Sequence, residues 1–209
     1  MTYLIIALTA IVSYLIGSVN FSILLSKMLS GKDIRESGSG NAGATNMLRT
    51  YGKKMGVITL LLDVLKGIVV ILLSRLVKNI AGTDEIYPVI SYIAGVCVIL
   101  GHNFPLYFGF KGGKGVATAG GMVFMIDWRI ALILLAIFAI IVLITKYVSL
   151  GSIAMAVFYP VFIFVFYKSL PLTLLSLIFT LIVVLAHREN IKKLINHTES
   201  KIGSKKENN

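Results

Sequence analysis

Charge is scarce in this sequence, and acidic charge scarcest of all. Of 209 residues only 14% are charged, with 9 Asp and Glu against 20 Lys and Arg. An ordinary soluble domain carries about 25% charged residues, so the composition excludes one. The single cysteine, Cys97, lies inside an apolar run and rules out an internal disulfide framework or a cysteine-based metal cluster. No loop gathers the carboxylates that would hold Mg²⁺ between phosphates, so we expect neither a metal nor a cofactor. The N-terminus has no basic stretch before its first apolar run and no small-residue cleavage pattern after it. That run therefore reads as an uncleaved first helix.

What fills the chain instead is apolar sequence, 57% of it, with a mean hydropathy of +0.90. The apolar residues fall into seven blocks, near 3–28, 56–77, 86–101, 116–126, 130–145, 150–167 and 170–186. Most approach the ~20 residues that cross a ~30 Å hydrocarbon core. The fourth spans only ~16 Å at ~1.5 Å per residue, a short or tilted crossing. If all seven cross, Lys27–Lys54, Lys111–Lys114, Lys146 and the tail from Arg188 share one side and hold most of the Lys and Arg residues. The other side keeps Arg75, Lys78, Arg129 and Lys168, and Lys66 lies within a helix. The positive-inside rule then places the N-terminus outside and the C-terminus in the cytoplasm. The expectation is an all-α polytopic membrane protein of about seven transmembrane helices, the fourth short. Residues 1–202 form one integral membrane domain and 203–209 a flexible tail.

The net charge of +11 does not point to nucleic acid, because the basic residues are spread over short loops between membrane segments. Unusual polar sequence nevertheless concentrates on the inner face. The first such segment is Gly38-Ser39-Gly40-Asn41-Ala42-Gly43-Ala44-Thr45-Asn46, followed by Arg49. Small residues let a backbone present successive N–H groups as an anion nest. Ser39, Asn41, Thr45 and Asn46 add neutral donors, and Arg49 a bidentate fork suited to phosphate. The second is Gly101-His102-Asn103-Phe104-Pro105, continuing into Phe110-Lys111-Gly112-Gly113-Lys114-Gly115 at the start of an apolar helix. Lysines and a helix N-terminus together favour anions. Neither segment has Walker A spacing. The third is His187-Arg188-Glu189-Asn190-Ile191-Lys192-Lys193, and Ser152 adds a weaker signal. Each has a plainer explanation alone: a flexible linker, topological anchors, a stop-transfer cluster. Their joint presence at the inner ends of helices argues for a site.

Together these segments resemble one family, the bacterial membrane glycerol-3-phosphate acyltransferases of the PlsY type that use acyl phosphate. Gly31-Lys32-Asp33-Ile34-Arg35, Gly17-Ser18 and Leu62-Asp63-Val64-Leu65-Lys66-Gly67 fit the same pattern, so the likeness covers nearly the whole chain. It implies transfer of an acyl group from acyl phosphate to the sn-1 hydroxyl of glycerol 3-phosphate at the cytoplasmic face of the bacterial plasma membrane. The products are lysophosphatidate and phosphate, at the entry to phospholipid synthesis. The partners implied are the two substrates, membrane lipids and an upstream enzyme that makes acyl phosphate. Within that picture Ser39, Gly40, Asn41, Gly43 and Thr45 hold the acyl phosphate, supported by Ser152 and His187. Arg49, Lys111, Lys114, Arg188 and Asn190 hold glycerol 3-phosphate or neutralise the departing phosphate. His102, Ser39 and Asn41 are the candidate catalytic residues: His102 positions or polarises the hydroxyl, and Ser39 and Asn41 donate hydrogen bonds. Asp63 and Lys66 are expected to pair with each other. The His-x4-Asp dyad of other glycerolipid acyltransferases is missing, since Tyr107 and Lys192 stand where the Asp would be. Acyl phosphate is a mixed anhydride with a good leaving group and no His/Asp pair adjoins Ser39 in sequence, so direct attack without an acyl-enzyme is expected. A permease for a phosphorylated solute would also explain basic, glycine-rich helix ends, but the sequence shows no outward counterpart to them. A purely structural membrane subunit would leave them unexplained.

Overall fold

A computed structural model describes residues 2–81 and 87–203. The expected tail beyond Gly203 and the start of the third apolar block, Ile86, lie outside the described residues. Every regular element among the described residues is helical: α1 (Thr2–Ser18), α2 (Phe21–Ser30), α3 (Ala44–Ala81), α4 (Tyr87–Asn103), α5 (Val116–Ile126), α6 (Trp128–Thr145), α7 (Val148–Tyr167), α8 (Leu170–Ala186) and α9 (Arg188–Ile195), with short 3₁₀ turns at Ile34–Glu36 and Leu106–Phe108. Among the described residues five stretches are long and apolar enough to cross a membrane, and the α8–α9 pair, bent by 60°, makes a sixth if it is one span. Their outer faces are apolar, with Leu61, Leu135, Leu143 and Ile144 among the exposed side chains. In lipid such faces need no cover, while helices satisfy their own backbone polar groups. The protein is a polytopic helical membrane protein.

Backbone contacts divide the chain into two compact units, Met1–Asp127 and Trp128–Asn209. In the first, α1 packs on α4, and α3 packs on both α4 and α5. Glycine sets how close these helices come. A Cβ on Gly17 would sit 2.2 Å from the Val98 carbonyl oxygen, and one on Gly101 the same distance from that of Tyr14. Gly67 and Gly121 make a second reciprocal pair, each 2.1 Å from a backbone oxygen of the opposite helix, Thr118 and Val64. Close approach through small residues is how helices associate where no water drives them together.

The first apolar block does not form one helix, as the sequence suggested. It breaks at Val19-Asn20, where Asn20 leaves helical geometry and its Oδ1 accepts from Ile23 N at 3.2 Å to cap α2. Gly31, at φ +69°, closes α2 with its N–H on Lys27 O. α3 starts well before its apolar block and turns sharply at Gly52, whose φ of +80° only glycine tolerates readily. Thr45, Asn46 and Arg49 therefore sit on a helical turn ahead of the long apolar run. α5 has the boundaries expected of the short fourth segment. In the second unit α7 packs against α6, α8 and α9. Ser169 caps α8 through Leu172 N, and α8 gives way to α9 at His187.

Candidate active site

The first glycine-rich segment is built on a small apolar core of Ile23, Ile34, Ala42 and Met47. Above it Asn46 is buried and fully used. Its Nδ2 donates to Ile34 O at 3.1 Å and Ser37 O at 2.9 Å, and its Oδ1 accepts from Ser39 N at 2.9 Å. Gly38 lies so close that a Cβ there would meet Asn46 Oδ1 at 2.2 Å. Gly40 N donates to Ser37 O and Gly43 N to Asn41 O. The backbone N–H groups of Ser39, Gly40 and Gly43, expected to form an open anion nest, are thus spent inside the loop. What faces outward is side chains. Ser39 and Arg49 are exposed, and Asn41 and Thr45 are half-buried.

Arg35 joins this loop to the second. Its Nη1 donates to Phe108 O and Lys111 O, both at 2.8 Å, and its Nη2 and Nε hold Asp33 at 2.8 and 3.0 Å. The Arg35 guanidinium keeps the Asp33 carboxyl below the usual carboxylate range despite partial burial. Asp33 in turn holds the Arg35 guanidinium above its ordinary value. Sequence reasoning named Asp33 and Arg35 only within the family likeness and gave them no role; opposite charges two residues apart beside the glycine-rich segment were the available signal.

The second loop lies across the end of α4. Gly112 N donates to Asn103 O and Gly113 N to His102 O. A Cβ on Gly113 would sit 2.2 Å from His102 Nε2 and 2.4 Å from Ala42 O, so the two glycine-rich segments meet at the His102 ring. Lys111 is exposed and Lys114 half-buried at the entry to α5. Behind the ring, Lys66 Nζ lies 3.0 Å from His102 Nδ1, 3.0 Å from Asp63 Oδ1 and 3.0 Å from Val19 O. Asp63 and Lys66 do pair, as expected, and the pair reaches the histidine, which sequence spacing could not reveal. Asn20 is buried here too, with Nδ2 at 3.4 Å from Ala42 O. An Asn capping a helix in the middle of an apolar block was the signal for it.

The remaining predicted residues belong to the second unit. Ser152 is buried and its hydroxyl donates to Val148 O at 2.9 Å. His187 is buried with Nδ1 donating to Val183 O at 2.8 Å. Arg188 is exposed, 3.7 Å from Glu189. Asn190 Nδ2 donates to Glu199 Oε1, which also accepts from Ser149 Oγ, both at 2.8 Å. No cluster of three or more His, Cys, Asp or Glu that could hold a metal ion occurs among the described residues.

Fold and cluster together define a class: a helical integral membrane protein that gathers amides, a histidine and cations at glycine-rich helix ends. The family profile of glycerol-3-phosphate acyltransferases matches residues 7–197. The glycerol-3-phosphate acyltransferase of Clostridioides difficile is 45% identical over 99% of this chain and 98% of its own, and that of Thermoanaerobacter pseudethanolicus 42% identical over 96% and 97%. Among solved structures, PlsY, an integral membrane glycerol 3-phosphate acyltransferase, in its glycerol 3-phosphate form superposes with a TM-score of 0.85 at 37% identity, covering 95% of this chain and 96% of that one. Its lysophosphatidic acid form gives 0.82 at 35% identity, with 95% of each chain covered. The chain belongs to the glycerol-3-phosphate acyltransferase family.

Proposed function

We propose that this protein transfers an acyl group from acyl phosphate to the sn-1 hydroxyl of glycerol 3-phosphate, giving 1-acylglycerol 3-phosphate and inorganic phosphate. The observation that carries this reading is the meeting of both glycine-rich segments at His102 in a chain of this family. A relative solved in glycerol 3-phosphate and lysophosphatidic acid forms supports the acceptor and the product.

The hydroxyl oxygen attacks the acyl carbonyl carbon, the bond from that carbon to the phosphate oxygen breaks, and phosphate leaves with the electron pair. A mixed anhydride needs no covalent relay, so no acyl-enzyme forms. The hydroxyl proton passes to a phosphate oxygen, whose second pKa is ~6. Ser39, Asn41 and Thr45 hold the acyl phosphate through side-chain donors, with Gly40 and Gly43 shaping the loop. Arg49, Lys111, Lys114, Arg188 and Asn190 hold glycerol 3-phosphate or neutralise the departing phosphate. Ser152 and His187 supply supporting contacts to the acyl phosphate. The chain crosses the bacterial plasma membrane seven times with its N-terminus outside, and the site opens at the cytoplasmic face. An upstream enzyme that makes acyl phosphate feeds it.

The deciding measurement is phosphate release by purified protein given palmitoyl phosphate and glycerol 3-phosphate, with lysophosphatidate followed in parallel. Turnover is expected with palmitoyl phosphate and not with palmitoyl-CoA. Comparable rates with palmitoyl-CoA would refute the donor while leaving the acceptor intact.

A further inference from the structure

Lys66 is 4% exposed, a cation far from bulk water, and everything around it is electron-rich. Its Nζ donates to Val19 O at 3.0 Å, at the break between α1 and α2, and the Gly17 carbonyl lies at 3.4 Å. Asp63 Oδ1 stands 3.0 Å away as an ion pair lying off the hydrogen-bonding direction. The ring of Phe21 presents its face at 5.5 Å. These neighbours all favour an ammonium, and an ammonium has three donors and no acceptor. The remaining polar neighbour is His102 Nδ1, at 3.0 Å. A proton on Nδ1 would point at the N–H groups of a cation, so Nδ1 must carry a lone pair. Asp63 Oδ1 is the competing acceptor for an Nδ1 proton, but it stands 3.5 Å from Nδ1 against 3.0 Å from the ammonium.

We propose that Lys66, held by Asp63 and by the carbonyls at the α1–α2 break, is a positioning residue that fixes His102 as the neutral tautomer with its proton on Nε2. The ring then works as a fixed hydrogen-bond donor where the two glycine-rich loops meet, and not as the acceptor of the substrate proton. Nε2 is the ring nitrogen against Gly113, the glycine that also approaches Ala42 O, and a protonated Nε2 has no lone pair with which to take another proton. The nitrogen that does have a lone pair is occupied by Lys66. The inference rests on the acyltransfer reading only for the consequence in catalysis; the tautomer itself is a property of the resting protein.

The experiment is ¹⁵N NMR of the protein labelled on histidine and held in nanodiscs. His187 and His197 are removed one at a time to assign the three residues. His187, whose Nδ1 donates to Val183 O, serves as an internal contrast. His102 should show an unprotonated, hydrogen-bonded Nδ1 and a protonated Nε2. A protonated Nδ1, alone or with Nε2, would overturn the proposal. Lys66→Met removes every donor at similar length. If it folds, as judged by its thermal transition, it should give mixed tautomers, and kcat should fall at least about tenfold, toward the ~10⁴ a wrong tautomer costs elsewhere. An unchanged tautomer in folded Lys66→Met would show that Lys66 does not set it. If Lys66→Met fails to fold, the wild-type spectrum decides alone. Because that spectrum needs no substrate, a correct tautomer in a protein without acyltransfer activity would sink the functional reading and leave this one standing.

Discussion

Arg35→Ala removes at one stroke two hydrogen bonds to carbonyls of the second loop and the ion pair with Asp33. With Arg35 only partly exposed, a loss of about 1.5–3 kcal/mol is expected for bonds from a charged group. It should appear as a lower unfolding midpoint in detergent together with reduced turnover. Lys at this position keeps the charge but not the fork, so rescue should be partial. Asp33 gives the same clamp a pH dependence. Its folded carboxyl is held below its ordinary value by Arg35. The stability it contributes is therefore complete above the unfolded value of ~3.9 and is lost as pH falls through the lower folded value. Thermal unfolding followed downward from pH 6 should show wild type more stable than Asp33→Asn until about pH 4, with the gap closing below. A gap that persists unchanged into strong acid would mean that the carboxylate charge is not what matters. For the proposed phosphate ligands, Arg49→Ala or Lys114→Ala should cost about 2–5 kcal/mol in kcat/KM if each pairs with a desolvated phosphate. Full activity in a normally inserted variant would return that residue to a topological role.

Helix contacts make a sharper contrast, because two neighbouring glycines of α5 stand in opposite surroundings. A Cβ at Gly121 would drive into the Val64 carbonyl, whereas one at Gly120 meets nothing within 4 Å. Gly121→Ala should therefore cost about 1–3 kcal/mol through overpacking, and Gly120→Ala should be neutral or slightly stabilising. Equal unfolding midpoints for the two would contradict the close α3–α5 approach. These elements also mark what a sequence can tell. The bounds of α5 were legible because glycines and lysines precede it and Asp127 follows its apolar run. The break between α1 and α2 was not, since neither glycine nor proline stands at Val19-Asn20 and the apolar block runs on. Only Asn20, a good cap with Ser22 donating to its Oδ1, hinted at it. At the site, both glycine-rich loops could be read from composition. That their N–H groups are turned inward, and that Lys66 reaches His102, depends on tertiary approach between α3 and α4, which no local pattern encodes.

At the scale of the whole molecule, charge placement predicts how the chain sits in the bilayer. In a protein with Cys97 replaced by Ser, cysteines introduced at Lys32 and Thr198 should resist impermeant thiol reagents in intact cells and react after permeabilisation. A cysteine at Lys168 should be labelled from outside. External labelling at Lys32 would reverse the proposed orientation. The shortness of α5 carries a further, mechanical consequence. Eleven residues rise ~16 Å, about half of a ~30 Å hydrocarbon core, and Gly120 and Phe124 on this helix are exposed. Its apolar run ends at Gly115 on one side and Asp127 on the other, a length that matches about one leaflet of such a core and not two. If α5 is one of the seven proposed crossings, the bilayer beside it thins to match, at a fraction of a kcal/mol per Å of mismatch. A protein with such a crossing is coupled to its membrane's stiffness and thickness. Reconstituted into bilayers of steadily longer acyl chains, it should lose turnover as the thinning becomes harder to sustain, with no change in any residue.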